Sequence, residues 1–285
     1  MNLTIDIEPL SNVLGAAVRG VDLTRPVDDR IADNIRDAFH RYSLLCFPGQ
    51  KLSADDQLRF ANIFGKGDGG VRETKEIGAK RTGNRGVMYV SNIRENGKPI
   101  GVLPDGEMQF HSDGAHRDSP YRATTLYGIK IPSRGGNTLF ANLYAAYEAL
   151  PQATKDRIDR LKTQFVYDYD AQERDFTDDD DTNLPRAVHD LVRIHPATGR
   201  KSLYLSRLMC RRVVDMDPAE SEALLMDLFD HAEKPEFVYA HKWAIEDLVI
   251  WDNRCLNHAR TDFPADEQRM LRRYTISEPD APDDQ

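Results

Sequence analysis

The chain has 285 residues, 40% of them hydrophobic and 30% charged, which allows a sizeable buried core and excludes a disordered chain. Its formal net charge of −9 is misleading, because eight negative charges sit in two segments, 178–181 and 278–285. The remainder is close to neutral and carries no basic stripe of the kind nucleic acid requires.

Three cysteines, Cys46, Cys210 and Cys255, are far apart and odd in number, which argues against a disulfide framework. There is no signal-peptide pattern and no apolar run of bilayer length, so the expectation is a cytoplasmic protein with no membrane and no nucleic-acid partner. Segment 30–42 places Ile31, Ile35, Ala38 and Phe39 at helical spacing, and 43–47 follows as a short buried strand closed by Pro48-Gly49. Ser53 with Asp56 predicts a capped helix start, the helix carrying Leu58, Ala61, Ile63 and Phe64 until Gly65 stops it. Gly65-Lys-Gly-Asp-Gly-Gly70 matches the dinucleotide-binding pattern letter for letter. A helix precedes it and a polar stretch follows, whereas that pattern needs a strand before it and a helix after it to meet a pyrophosphate. It is read as a glycine loop.

From Val87 onward the chain reads as strands. Runs 87–90, 108–113, 124–131, 138–143, 164–169, 203–205, 236–243, 248–251 and 270–276 are short, rich in β-formers and separated by turn residues. Two helical stretches interrupt them, 144–161 with a break at Pro151, and 218–231. Residues 195–201 predict a hairpin turn in which Gly199 takes a positive φ. The acidic, patternless 171–186 is expected to be a mobile loop, and 278–285 a disordered tail. This order predicts a single domain over 1–285, mainly β with helices (α+β), built as a sandwich or jelly roll instead of alternating βαβ units.

Phe110-His111-Ser112-Asp113 ends one strand-like run. Residues i and i+2 of a strand share a face, so His111 and Asp113 converge while Ser112 points away, supplying two thirds of a facial metal triad. His258 follows the strand 248–251 and the turn Asp252-Asn-Arg254, and on its own reads as a loop residue facing solvent. Arg269, Leu271 and Arg273 share one face of the last strand, with Met270, Arg272 and Tyr274 on the other. Two guanidinium groups on a core face are costly unless an anion meets them. The residues alone leave open a zinc- or manganese-loaded barrel hydrolase or isomerase, and a barrel-fold ligand-binding protein that has lost its chemistry.

Taken together, Phe110-His-Ser-Asp113, Pro132-Ser-Arg-Gly-Gly-Asn-Thr-Leu139, Ala145-Ala-Tyr-Glu-Ala-Leu150 and Trp251-Asp-Asn-Arg-Cys-Leu-Asn-His258, with Arg269 and Arg273, resemble the iron(II)/2-oxoglutarate dioxygenases of the taurine and 2,4-dichlorophenoxyacetate type. The resemblance runs from Arg19-Gly-Val-Asp-Leu23 to about Ser277, and Glu236-Phe-Val-Tyr239 and Asp247-Leu-Val-Ile-Trp-Asp-Asn-Arg-Cys255 bring it nearer the phenoxyacetate branch. It implies a double-stranded β-helix (jelly-roll) core with flanking helices and loop insertions. It further implies iron(II) on His111, Asp113 and His258, and the distal carboxylate of 2-oxoglutarate on Thr138 and Arg269. Arg273 would meet the substrate's anionic group close to the cosubstrate, and dioxygen would take the last coordination position. The implied reaction hydroxylates a small anionic organic substrate, an aryloxyalkanoate-like carboxylate or a sulfonate, and releases succinate and carbon dioxide. The family tends to form homodimers or homotetramers.

Four residues before the metal His the taurine enzymes carry an Asn that contacts substrate, whereas this chain has Glu107, a carboxylate that repels a sulfonate and disfavours taurine. Asn92, Arg72, Lys75 and His116 lie in segments that could line the pocket. His40, His189, His195, His231 and His241 have no partner pattern and read as structural, and Cys255 as a small hydrophobe beneath the site.

Overall fold

The computed structural model describes residues 5–65, 87–102, 106–167 and 184–277. In chain order its elements are β1 (Asp6–Pro9), β2 (Ala16–Arg19), α1 (Asp29–Tyr42), β3 (Leu44–Phe47), α2 (Ala54–Ala61), β4 (Val87–Ser91), β5 (Arg94–Glu95), β6 (Lys98–Pro99), β7 (Met108–His111), β8 (Tyr121–Lys130) and β9 (Thr138–Asn142). There follow α3 (Leu143–Ala149), α4 (Gln152–Ile158), β10 (Lys162–Val166), β11 (Arg186–Asp190), β12 (Val192–Ile194), β13 (Lys201–Leu203), β14 (Cys210–Val213), α5 (Pro218–Ala232), β15 (Val238–His241), β16 (Leu248–Asp252), β17 (Leu256–Arg260) and β18 (Met270–Ser277).

Local chemistry sets the helix limits. The Asp28 carboxylate accepts from the Ile31 backbone N–H at the start of α1, and Ser43 ends it in the left-handed region. The predicted capping box of α2 is present, Ser53 and Asp56 bonding each other's backbone N–H reciprocally. The helix stops at Ala61, earlier than expected, with Ile63 and Phe64 continuing in tight turns whose N–H groups bond Phe60 and Ala61 carbonyls. Pro151 separates α3 from α4, and Asp217-Pro218 starts α5. β12 and β13 form the expected hairpin, with Gly199 at φ +70°.

Two sheets carry the fold. One has seven strands in the order β1-β2-β3-β16-β8-β18-β4, and the other has four in the order β15-β9-β17-β7. Along β3 and β16 successive side chains alternate between two buried clusters. Leu44, Cys46, Val249 and Trp251 meet Phe140 and Leu256 of the four-stranded sheet, whereas Leu45, Phe47, Leu248 and Ile250 meet Ile35 and Phe39 of α1 and Phe60 of α2. The seven-stranded sheet is therefore buried on both faces at its centre, which is why these strands read as continuous apolar runs. A third cluster packs α3 and α5 against the smaller sheet β11-β10-β14 and the β12–β13 ribbon.

The main departure from expectation is β17. His258 lies on a strand, not in a loop, because Leu256–Arg260 is inserted between β9 and β7 and pairs with both. Such a central strand is covered on both faces and shows no alternation to read. The short strands β1, β2, β5, β6, β11, β12 and β14 are likewise set by pairing partners more than by their own pattern. Most of the expected loop 171–186, the tail 278–285 and residues 66–70 of the glycine pattern lie outside the described residues.

Candidate metal centre

β7 and β17 are antiparallel neighbours, and His111 pairs directly with His258. Opposed residues on one sheet face bring their Cβ atoms within about 5 Å, and here the imidazole centroids are 4.1 Å apart at 45°. Asp113 lies two residues past His111, just beyond the strand, and still turns inward as the i, i+2 relation predicts. His111 Nε2 is 3.9 Å from Asp113 Oδ1, and His258 Nε2 is 3.9 Å from Asp113 Oδ2. All three donor atoms lie within 4.8 Å of one another, and the three residues are nearly or wholly enclosed. Ser112 points away and donates to the Asn253 carbonyl at 2.7 Å.

The electrostatics suit a cation. Burial pushes both imidazoles below their ordinary value, so they are neutral and can donate a lone pair. The 2.9 Å contact of His111 Nδ1 with the Gln109 carbonyl places the proton on Nδ1 and leaves Nε2 free to ligate. Burial alone would raise the Asp113 carboxyl. Arg273, His258, His111 and the Thr124 hydroxyl outweigh it and hold the group well below the usual carboxylate range. Arg273 Nη2 lies 2.5 Å from Asp113 Oδ1, and Thr124 Oγ1 donates to Asp113 Oδ2 at 2.6 Å.

Arg269, immediately before β18, is only 2% exposed. Its Nε donates to the Gly136 carbonyl at 3.1 Å, and its Nη1 has no hydrogen-bond partner among the described residues. Burial, followed by the charge of Arg260, pushes its pKa down to about 9. A buried guanidinium with an unpaired N–H is costly unless an anion meets it. Gly136 sits at φ +63°, and a Cβ there would meet Pro132 Cγ at 3.0 Å and Arg269 Cδ at 3.2 Å, so glycine is required for the close approach. Thr138, two residues on, is buried, and its hydroxyl accepts from Trp243 Nε1 at 2.9 Å, which leaves its proton for another acceptor.

The structure thus brings His111, Asp113, His258 and Arg273 together, and sets Arg269 against the segment that leads into Thr138. Asn92 is used differently. Its carboxamide donates to the Glu267 carbonyl and accepts from the Arg269 N–H, both at 2.9 Å, so it pins the start of β18. Glu107 is exposed, His116 is buried beside the Tyr167 ring, and Arg72 and Lys75 lie outside the described residues. His189 and His231 bond backbone carbonyls, His195 bonds Asp252, and His241 sits between Tyr239 and Asp247. Cys255 is buried, as expected. Sequence reasoning gave no role to Thr124, Trp243 or Asn253; Asn253 lies within the 251–258 motif, whereas Thr124 and Trp243 have no charge or spacing signal of their own. It also missed that Arg272, on the opposite face of β18, is satisfied by Gln57 and the Leu52 and Ser53 carbonyls.

Two other donor groups, Cys46–His241–Asp247 and His195–Asp252–Cys255, are as compact. Burial, followed by Asp247, pushes the Cys46 thiol up to about 12, whereas a thiolate is what binds metal. His195 has no lone pair to give, because its Nδ1 accepts from the Ala197 and Thr198 N–H groups at 3.2 Å and its Nε2 proton goes to Asp252 at 3.0 Å. The buried, compact His111–Asp113–His258 set, with its two neutral imidazoles, fits a divalent metal, and the buried Arg269 with its unpaired Nη1 fits an anion. The donor set is that of the non-haem oxygenases.

Known proteins agree. The family model described as "Taurine catabolism dioxygenase TauD, TfdA family" matches residues 6–275. The (S)-phenoxypropionate/alpha-ketoglutarate-dioxygenase of Sphingobium herbicidovorans is 32% identical over 280 residues, covering 95% of this chain and 94% of that protein. Pentalenolactone F synthase of Streptomyces avermitilis is 31% identical over 293 residues, covering 96% of this chain and 94% of that one. The crystal structure of AAD-2 in complex with Mn(II) and N-oxalylglycine superposes with a TM-score of 0.81 at 32% identity, covering 99% of both chains. The chain belongs to the TauD/TfdA family. It is therefore an oxidoreductase, a dioxygenase that uses iron(II), 2-oxoglutarate and dioxygen, and the hydrolase and ligand-binding alternatives fall away.

Proposed function

We propose that His111, Asp113 and His258 hold iron(II), that Arg269 and Thr138 bind the distal carboxylate of 2-oxoglutarate, and that Arg273 receives the anionic group of the primary substrate. The observation that carries this reading is the convergence of three ligand atoms within 4.8 Å, with Arg273 on Asp113 and, four residues earlier in the same stretch, a guanidinium that is buried and partly unpaired. Iron(II), when bound, supplies activation of dioxygen coupled to oxidative decarboxylation of 2-oxoglutarate. The chain's own residues place and shield the reactants. The Arg269 fork offers two parallel N–H groups to a carboxylate, and the Thr138 proton adds a third bond. Arg273 is the charge partner of Asp113, and a cation that neutralises Asp113 frees this guanidinium for a substrate carboxylate.

Within the mainly β fold the two large sheets form a double-stranded β-helix core, with the site between β7, β17 and β18. The substrate is a small organic carboxylate, aryloxyalkanoate-like, in preference to a sulfonate. Arg273 supplies the positive charge, and Asn92 acts at one remove, through the backbone of Arg269. The enzyme is cytoplasmic and assembles as a homodimer or homotetramer. No described helix is long and apolar enough to cross a membrane.

Anaerobic protein mixed with iron(II) and 2-oxoglutarate should develop the visible charge-transfer absorption of the chelate, and Arg269→Ala should weaken its formation. A wild-type protein that shows no band overturns the assignment. Succinate release across a panel of aryloxyalkanoates, aliphatic carboxylates and sulfonates then identifies the substrate class, and Arg273→Ala should raise KM for the accepted carboxylate about tenfold or more.

A further inference from the structure

One buried polar chain joins the two stretches that supply the ligands. Trp251 Nε1 donates to Asn253 Oδ1 at 2.9 Å, Asn253 Nδ2 donates to Thr124 Oγ1 at 3.0 Å, and Thr124 Oγ1 donates to Asp113 Oδ2 at 2.6 Å. Its direction is forced. An indole N–H only donates, so the carboxamide must present its oxygen to Trp251 and its NH₂ to Thr124, and the single hydroxyl proton of Thr124 is left for the carboxylate. Trp251, Asn253 and Thr124 are each 0% exposed. The backbone of Asn253 doubles the linkage, its carbonyl accepting from Ser112 Oγ at 2.7 Å and its N–H donating to the Arg122 carbonyl at 3.0 Å. At the far end the Trp251 ring packs against the His258 imidazole, centroids 4.7 Å apart. The route from Asp113 to His258 is thus closed by side chains that lie 11 and 140 positions from Asp113 in the chain, for Thr124 and Asn253.

We propose that Thr124 and Asn253 are positioning residues for the metal centre. Thr124 fixes the rotation of the Asp113 carboxylate, Asn253 fixes Thr124, and Trp251 ties both to the ring of His258, so the three ligands stand pre-assembled. This inference rests on the metal-ligand reading above. The physical reason is that a carboxylate on a short side chain can rotate, and each unfavoured rotamer costs metal affinity; a hydrogen bond to one oxygen holds it in place. Outer partners of metal ligands typically contribute tenfold to hundredfold in affinity.

The test is Mn(II) binding alone, read from the electron paramagnetic resonance of the free ion, in wild type, His111→Ala, Thr124→Val and Thr124→Ser. Valine keeps the shape of threonine and loses the hydroxyl, while serine keeps the hydroxyl and loses the methyl group. The positioning role predicts that Thr124→Val weakens Mn(II) binding about tenfold to hundredfold, with Thr124→Ser within about threefold of wild type. A packing role predicts the opposite order. Thr124→Val that binds Mn(II) as wild type does, or Thr124→Ser that is the weaker of the two, overturns the inference and leaves the metal site standing. Wild-type protein that binds no better than His111→Ala overturns the metal reading itself and the inference with it. Asn253→Ala should weaken binding in the wild-type background and add little beside Thr124→Val, because both act through one bond; fully additive losses would overturn the chain arrangement.

Discussion

Arg269 shows how one buried side chain can be costly in the empty protein and necessary in the loaded one. At 2% exposure, with Nη1 unpaired, it carries a charge that a bound carboxylate would compensate. Arg269→Met should therefore weaken 2-oxoglutarate about 10- to 150-fold, the worth of charge-assisted bonds at about 1.5–3 kcal/mol. It should leave the melting temperature of the ligand-free protein unchanged or higher. Binding titrations and thermal unfolding read the two effects separately. Only the protonated guanidinium binds the anion, and its pKa is pushed down to about 9. Affinity for 2-oxoglutarate should thus be flat near neutral pH and fall as pH rises through about 9, which KM measured across pH 7–10 would reveal. The imidazoles carry the opposite sign. Burial lowers both His111 and His258, protons compete with metal only once pH falls below their own values, and Mn(II) affinity should therefore persist below pH 6.5, the ordinary value of an imidazole in water.

At the scale of elements, the loop before β9 and the start of β18 form the cradle proposed for the cosubstrate. The Gly136 carbonyl takes Arg269 Nε, and Asn92 clamps the Arg269 backbone. Gly136→Ala forces a Cβ to within 3.2 Å of Arg269 Cδ at φ +63°. The left-handed conformation costs about 1–2 kcal/mol for a residue with a Cβ, and Arg269 must shift. Steady-state kinetics should show KM for 2-oxoglutarate raised about tenfold, with a smaller change in kcat. The α2 capping box, the Gly199 hairpin and the faces of β18 were legible beforehand, because each is written in residue types a few positions apart. β17 was not. Leu256-Asn-His-Ala-Arg260 has no alternation to read, and only its place between β9 and β7 makes it a strand.

The whole molecule holds the site before any ligand arrives. β7 and β17, which carry His111 and His258, belong to a sheet joined to its larger partner by one buried cluster that includes Trp251, Phe140 and Leu271. Chelator treatment should accordingly leave the far-ultraviolet circular dichroism unchanged. Mn(II) with 2-oxoglutarate, at a hundred times its dissociation constant, should add about 2.7 kcal/mol to stability, a rise of about 5 °C or more in melting temperature. His111→Ala should abolish most of that rise.

The amino-acid sequence by itself determined the mainly β class, the His111–Asp113 pair and the two arginines on one face of the last strand. Strand periodicity and local turn chemistry are short-range properties, and they need no partner to be read. Only the tertiary structure decided that His258 stands opposite His111, that Arg273 reaches Asp113 while Arg272 is spent on Gln57, and that Thr124, Asn253 and Trp243 hold polar atoms of the site. Those relations join residues far apart in the chain through hydrogen bonds in a buried interior, where the pairing of each polar group is set by which strands lie side by side.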